Sequence, residues 1–249
     1  MTLQAVYVLW LREVKRLVRA RSRLIANLIQ PLLILAILGF GLSYAKLPGL
    51  RLSYLDFLAP GMVIVAVALS SMTSGVSVIW DRQFGFLKEV LVAPVSRLSI
   101  VVGKALGGST VATLQGLAIL AVSVLLGVQI NILGLLPGLT FILLTSIFAV
   151  GLGLIIASKV NDFEGFGLIM NLLVFPLILL STAFFPLESA PNWMKGVIYL
   201  DPLTYAVDGL RGAIVGGSAM PLTLDLTILS GLCALTMLLG AYLFGKCEI

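Results

Sequence analysis

Six stretches of mainly apolar residues follow one another along this chain, and each is long enough, at about 20 residues, to cross a membrane as a helix. They lie at about residues 24–44, 57–80, 98–128, 135–158, 166–185 and 222–244. Because lipid offers no hydrogen bonds, a spanning segment must pair its own backbone groups, as an α-helix does. The spans take up most of the 249 residues, so we expect one all-α membrane domain over residues 1–249.

The composition excludes several other classes of protein. Apolar residues make up 60% of the chain and charged residues 11%, whereas a soluble domain has about 45–50% and about 25%. The chain has no histidine, and its two cysteines, Cys233 and Cys247, are too few for a disulfide framework. We therefore expect no enzymatic site, no metal or cofactor held by this chain and no binding of nucleic acid.

Lysine and arginine are distributed unevenly between the two ends of the spans, and this bias predicts the orientation in the membrane. One side holds Arg12, Lys15, Arg16, Arg19, Arg21, Arg23, Arg82, Lys88, Arg97, Lys104, Lys159 and Lys246. The other side holds Lys46, Arg51, Lys195 and Arg211. The richer side, with both termini, is predicted to be cytoplasmic. The net charge of +5 then reflects topology and contact with anionic lipids.

Residues 1–23 are predicted to form an amphipathic helix before the first span. A helical period places Leu3, Val6, Trp10, Val14 and Leu17 on one face and Arg12, Lys15, Arg16 and Arg19 on the other. Such a helix lies flat at the membrane surface with its apolar face in lipid. Two roles fit the basic face: anchoring on lipid headgroups, or docking of a partner protein.

The segment DRQFGFLKEVLVAPVSR, residues 81–97, is predicted to contain a short cytoplasmic helix that ends before Pro94. Its apolar stripe is Phe84, Leu87, Val90 and Leu91, flanked by Asp81, Arg82, Lys88 and Glu89. Exposed apolar residues of this kind either bind a partner or pack on the chain's own spans.

A second connecting segment, residues 186–220 on the outer side, is too apolar for a free loop and too interrupted to span. Pro191 is placed to open one short helix and Asp201-Pro202 to open another, which Gly216-Gly217 closes. We expect a re-entrant pair of helices that dips into the outer leaflet; an ordinary surface hairpin is the alternative.

Ionisable residues are scarce inside the spans. Lys104, near the inner end of the third span, is expected to extend its ammonium group to the membrane surface. No carboxylate that could carry a proton lies near a midplane, and no phosphate-binding loop of the G-x-x-x-x-G-K-[ST] type occurs. A transporter built from this chain therefore needs a partner as its energy source.

Uncharged polar residues and small residues recur within the spans. The polar candidates for a substrate path are Ser70, Ser74, Ser77, Gln115 and Asn171. Pairs of small residues at helical spacing include Gly103/Gly107, Ser71/Gly75 and Gly153/Ala157. Both groups also fit close helix packing, which small and hydroxyl residues favour in membranes.

Two motifs resemble those of the membrane-spanning permeases of ABC type 2 exporters. The first consists of Asp81-Arg82, Gly85, Leu87 with Glu89, Pro94 with Ser96-Arg97, and Gly103-Lys104. The second is DPLTYAVDGLR, residues 201–211, before the last span. Phe86 departs from relatives that carry a polar residue there. The resemblance covers nearly the whole chain and is closest to prokaryotic exporters of drugs or glycoconjugates.

This resemblance implies a complex of two permeases, either two copies of this chain or this chain and a related one, with two separate ABC ATPase subunits that hold ATP and Mg²⁺. It implies a coupling helix whose contacts with the ATPase are Asp81, Arg82, Phe84, Gly85, Leu87, Lys88, Glu89, Val90, Leu91 and Pro94. It implies a second contact, with the ATPase or with lipid, through Arg12, Lys15, Arg16 and Arg19. The outer helices would cap the exit of the path.

The residues alone leave two other functions open. A membrane anchor or assembly subunit that does not transport would use the same apolar stripe and basic helix. A channel or uniporter that works without a partner would show flux without nucleotide.

Overall fold

The computed structural model describes residues 3–42, 52–84, 96–160 and 162–245, and this part of the chain is helical with no β-strand. Its α-helices are α1 Leu3–Arg19, α2 Arg21–Gly41, α3 Tyr54–Met72, α4 Val76–Gln83, α5 Arg97–Leu125, α6 Leu135–Lys159, α7 Phe163–Leu180, α8 Asn192–Ile198, α9 Pro202–Ile214 and α10 Leu222–Gly245.

The six predicted spans are confirmed as helices long and apolar enough to cross a membrane. They cover Leu24–Gly41, Tyr54–Gln83, Leu98–Leu125, Ile132–Lys159, Phe163–Leu180 and Leu222–Phe244. The fifth is shorter than expected, because α7 ends at Leu180 and Ser181 has an extended backbone.

Helix α3 lies at the centre of the bundle and is buried along most of its length. Its side chains join a core with α5, α6 and α9 that includes Val63, Ile64, Ile119, Ile142 and Leu210. Helices α2, α7 and α10 instead turn most of their residues outward. Apolar residues on these outer faces, such as Leu172, suit contact with lipid.

The second span is interrupted where it meets α6. Thr73–Gly75 form a 3₁₀ turn between α3 and α4, and the backbone of Gly75 lies directly against that of Gly153 in α6. A Cβ atom on Gly153 would lie 2.5 Å from the carbonyl oxygen of Met72, so no side chain fits. The small residues at 75 and 153 therefore serve helix packing, as their spacing predicted.

Helix α1 packs along α5, where Gly103 and Gly107 allow a close approach. A Cβ on Gly103 would lie 2.7 Å from the Cβ of Leu9, and Trp10 donates a hydrogen bond from Nε1 to Thr110 Oγ1, 3.1 Å away. The buried face of α1 differs from the predicted one, because Leu9 and Glu13 point inward beside Val6. The glycine surface of α5 accepts these side chains.

The outer segment forms two short helices, α8 and α9, that begin after Pro191 and Asp201 as the sequence predicts. Asp201 caps α9 by accepting a hydrogen bond from the Leu203 N–H at 2.9 Å. Helix α9 is buried along most of its length against α3, α6 and α10. Insertion of this pair into the outer leaflet stays a prediction.

We predict that Gly153→Ala lowers the thermal unfolding midpoint of the purified chain in detergent, since the new methyl group overlaps the Met72 carbonyl group and overpacking costs about 1–3 kcal/mol. Gly231→Ala is the matched control, because a Cβ there meets nothing within 4 Å. Alanine in place of a helical glycine there should leave the midpoint unchanged or raise it. Equal shifts for the two variants would contradict the close contact.

Candidate functional site

Lys104 lies at the centre of a buried cluster of charged residues at the end of the bundle that is predicted to be cytoplasmic, here called the inner end. Its Nζ is 2.5 Å from Oδ2 of Asp81 and 3.4 Å from Oε1 of Glu13, and it donates a hydrogen bond to Ser77 Oγ at 3.0 Å. The residue is only 2% exposed. The expectation that Lys104 reaches the membrane surface is therefore wrong: two carboxylates within the bundle hold its ammonium group.

Two arginines of α1 complete the cluster. Arg12 places Nη2 2.6 Å from Oδ1 of Asp81, and Arg16 places Nη2 2.6 Å from Oε2 of Glu13. The cluster thus links α1, α4 and α5, with three positive and two negative charges. Charges that leave water need partners and hydrogen bonds, and removal of one partner leaves the others poorly compensated.

An apolar groove of about 740 Å³ runs along the outside of α2, α3, α4 and α7. Its walls are mainly apolar side chains, among them Met62, Ala66, Met170 and Phe175. The polar side chains on the groove are Asn27, Gln30, Thr73 and Asn171. A mainly apolar surface with a few polar groups, of a volume within about 300–1,000 Å³, is typical of ligand sites.

A second cavity of about 470 Å³ lies between α1, the start of α2, and α4. Arg12, Arg16, Ser22 and Asp81 are on its wall. Thr73, Val76 and Trp80 line both this basic cavity and the apolar groove. The cavity and the groove therefore adjoin at these three residues.

The structure separates the residues predicted to line a path. Ser70 donates a hydrogen bond to Oε1 of Gln115, Ser74 lies against Gly108, and Ser77 accepts a hydrogen bond from Lys104. These three serines and Gln115 occupy the contact of the second span with α5. Asn171 lines the groove and Ser77 also lines a neighbouring cavity between α1 and α4, so a lining role stays a prediction for these two of the five.

The structure describes the beginning of the predicted coupling segment. Phe84 is 72% exposed and its ring lies 5.2 Å from that of Trp80, between ring centroids. Asp81 belongs to the charged cluster, and Arg82 lies in the last turn of α4. The other predicted contacts, Gly85, Leu87, Lys88, Glu89, Val90, Leu91 and Pro94, lie outside the described residues.

The basic face of α1 divides into two parts. Arg12 and Arg16 line the basic cavity and pair with carboxylates, whereas Lys15 and Arg19 are exposed. Sequence periodicity put all four on one face and could not separate the pairs. Glu13 was not identified from the sequence as the partner of Arg16 and Lys104. The signal for it was an acidic residue next to the apolar face of the helix.

The motif at 201–211 holds the outer end together. The Arg211 guanidinium group is buried, donates to the carbonyl oxygens of Phe57 at 3.2 Å and Thr182 at 2.6 Å, and lies 3.8 Å from the centroid of the Phe57 ring. Asp208 accepts hydrogen bonds from the N–H groups of Ala219 and Met220. These contacts join α9 to α3, to the end of the fifth span and to the entry of α10.

Comparison with known proteins agrees with the fold. The family model for the ABC-2 type transporter matches residues 4–215. The protein ycf38 of Cyanophora paradoxa, whose name describes it as a transport permease, is 32% identical over 219 residues, 84% of this chain and 73% of the relative. The inner membrane transport permease YadH of Escherichia coli (strain K12) is 24% identical over 229 residues, 89% of this chain and 87% of YadH. Nodulation protein J of Rhizobium leguminosarum bv. viciae is 27% identical over 201 residues, 79% and 76%.

Removal of the central cation tests the charged cluster. We predict that Lys104→Met costs about 3–5 kcal/mol, since Asp81 and Glu13 stay buried with less positive charge. For a chain of this size that lowers the thermal midpoint by about 6 °C or more. Lys159→Met, an exposed residue at the same end, should change it by less than about 2 °C. Similar midpoints for the two variants would show that the cluster adds no stability.

The cap of α9 predicts a pH dependence. Burial raises the pKa of Asp201 to about 7. The pKa of Asp201 is higher in the folded chain than in the unfolded chain. Its contribution to the free energy of unfolding is therefore fully present below about pH 4 and is lost as the pH rises through about 7. Asp201→Asn keeps the capping oxygen and cannot ionise. The midpoint of this variant should therefore fall less than that of the original chain between about pH 5.5 and 8, and parallel curves would contradict this assignment.

Proposed function

Because the chain belongs to the ABC-2 type transporter family, we propose that it is the membrane permease subunit of an ATP-driven exporter. Its cargo is an amphipathic, drug-like or lipid- or glycan-linked molecule that moves outward. The chain spans a prokaryotic cell membrane with both termini in the cytoplasm, and two ATPase subunits on separate chains bind ATP and Mg²⁺. A second permease, either another copy or a related chain, completes the complex.

The position of the charged cluster carries the proposal. Asp81 lies in the last turns of α4, immediately before the predicted coupling segment, and pairs with both Lys104 of α5 and Arg12 of α1. A displacement of the segment after Gln83 therefore acts on three helices together. An ATPase on a separate chain requires such a connection, because its motion has to pass through packed helices to reach the substrate path.

The apolar groove is the part of the surface best suited to cargo. Helices α2 and α7 border it and turn most of their residues away from the bundle. We assign to the second permease the role of closing this open side, so that each chain supplies half of the path. Asn27, Gln30 and Asn171 then give the path a few polar contacts.

We predict that Phe84→Asp and Leu87→Asp each reduce recovery of the ATPase subunit with the tagged permease by at least about fivefold and lower ATP-dependent transport together with it. A charge in a contact core stays desolvated without a partner, which costs about 2 kcal/mol or more. The measurement is co-purification of the two subunits, followed by transport in proteoliposomes. Trp193→Asp is the control, because Trp193 is an exposed aromatic residue at the other end of the bundle.

Three outcomes separate the functions. Retained ATPase binding and transport in both inner variants would overturn the coupling assignment. Binding of the ATPase without any ATP-dependent flux would favour a membrane anchor over a transporter. Flux through the purified chain without ATPase or nucleotide would favour a channel or uniporter.

A further inference from the structure

The second span and α5 meet along a row of polar side chains, here called the polar seam. On the second span its members recur about once per helical turn: Ser70, Ser74, Ser77 and Asp81. The residues that they contact on α5 are Gln115, Gly108 and Lys104. The two helices run in opposite directions, and the seam extends from Lys104 at the inner end to Gln115, about 16 Å along α5.

Two polar atoms in the seam have no hydrogen-bond partner among the described residues. Oγ of Ser74 packs against Gly108, and Nε2 of Gln115 lacks an acceptor although Ser70 donates to Oε1 of the same side chain. Both residues are buried. A polar group that leaves water without gaining a partner costs free energy. Water between the helices would supply both partners, so hydration favours separation of the second span from α5.

Beyond Gln115 the same pair of helices meets through apolar groups. A Cβ atom on Gly116 would lie 2.5 Å from Cγ2 of Val67, and Val67 belongs to the main apolar core. Separation at this level would expose aliphatic side chains to water, which the hydrophobic effect opposes. The seam can therefore take up water from its inner end, where Ser77 and Asp81 already border the basic cavity, and ends blind above Gln115.

A hinge in the second span lies within the seam. The 3₁₀ turn Thr73–Gly75 separates α3 from α4 at the level of Ser74, and such a turn inside a longer helix often marks a hinge. The backbone of Gly75 lies against that of Gly153 in α6, which gives the second span a close contact to pivot on. Helix α4 can tilt away from α5 about this point while α3 stays in the core.

On the proposed permease function, we propose that the polar seam is a closed aqueous entrance on the inner side of the permease. During the ATP cycle the coupling segment pulls α4 away from α5, and water enters from Lys104 as far as Gln115. This water solvates Lys104 and Asp81 as the distance between them grows. Ser74 and Gln115 gain the hydrogen-bond partners that they lack in the closed bundle.

The reactivity of a thiol at position 74 measures this opening. In a full chain with Cys233→Ala and Cys247→Ala, Ser74→Cys places a nearly isosteric thiol in the seam. The chain in lipid nanodiscs is treated with 2-sulfonatoethyl methanethiosulfonate, an anionic reagent that reacts from water and does not enter lipid. Ala149→Cys is the control, because Ala149 is equally buried in the apolar core. Its neighbour Val150 approaches Gly108 as Ser74 does, so the two thiols lie at the same depth.

Release of the inner end should open the seam in the chain alone. Asp81→Asn removes the charge that pairs α4 with Lys104. We expect it to raise the labelling rate of Ser74→Cys at least about fivefold, since this ion pair holds the two helices together. The labelling rate of Ala149→Cys should rise less than about twofold, because the apolar core stays closed.

Removal of the polar groups should keep the seam closed. Ser70→Ala combined with Gln115→Leu leaves water nothing to solvate at the blind end, so it should reduce the labelling rate with Asp81→Asn at least about threefold. Thr145→Val is the matched control: it removes a buried hydroxyl that donates within its own helix, to the carbonyl oxygen of Phe141. This control should leave the labelling rate unchanged.

A second arm adds the ATPase and ATP to nanodiscs that contain Ser74→Cys with Asp81 intact. Labelling should then be at least about fivefold faster than in the chain alone, because the motion of the coupling segment replaces the effect of Asp81→Asn. No rise with Asp81→Asn, or equal rises at positions 74 and 149, would overturn the inference, the second result by showing general loosening of the fold. ATPase stimulation and transport without faster labelling would overturn the inference and leave the proposed function standing. A rise with Asp81→Asn in a chain that neither binds nor stimulates the ATPase would support the seam and overturn the proposed function.

Discussion

Burial of the Lys104 ammonium group is the constraint on which the inner end of this protein depends. Lys104 lies two turns inside an apolar helix, where an unpaired charge would cost several kcal/mol. Its counter-ions come from two other helices, Asp81 from α4 and Glu13 from α1. The negative charge of the two carboxylates exceeds the positive charge of one lysine, and Arg12 and Arg16 are their further counter-ions. The charge balance therefore fixes the N-terminal helix and the end of the second span to α5.

Glycines decide which helix faces meet elsewhere in the bundle. Lipid tails are as apolar as leucine, so burial of apolar side chains gives little preference for one helix face over another. Gly75 against Gly153 and Gly103 against Leu9 instead bring backbones close enough for dense packing. Where large side chains dominate, as on α7, the helix stays at the outside and leaves room for the groove beside α3.

The sequence could predict features that depend on neighbouring residues, but not features that depend on contacts between distant helices. Spans are a property of local apolar content, so all six were found, and Pro191 and Asp201 marked the starts of α8 and α9 correctly. Helix ends such as Leu180 were less certain because apolar residues continue beyond them. The charged cluster depends on residues up to 91 positions apart. No local period relates Glu13 to Lys104, and a lysine near a helix end is equally compatible with an extended side chain. The serines at 70, 74 and 77 were ambiguous for the same reason: their spacing defines a face but not its neighbour.

The two ends of the bundle use charge in physically different ways. At the outer end, Arg211 and Asp208 lie 4.0 Å apart and both bind backbone groups of other segments, so a movement of either side chain would break a hydrogen bond to the main chain. At the inner end, Lys104 contacts two carboxylates, and Asp81 contacts two cations. Such a cluster can shift by changing distances among its members while every charge keeps a partner. On the proposed function, a force applied next to Asp81 would act on this cluster, while the main-chain hydrogen bonds of Arg211 and Asp208 would hold the other end of the bundle.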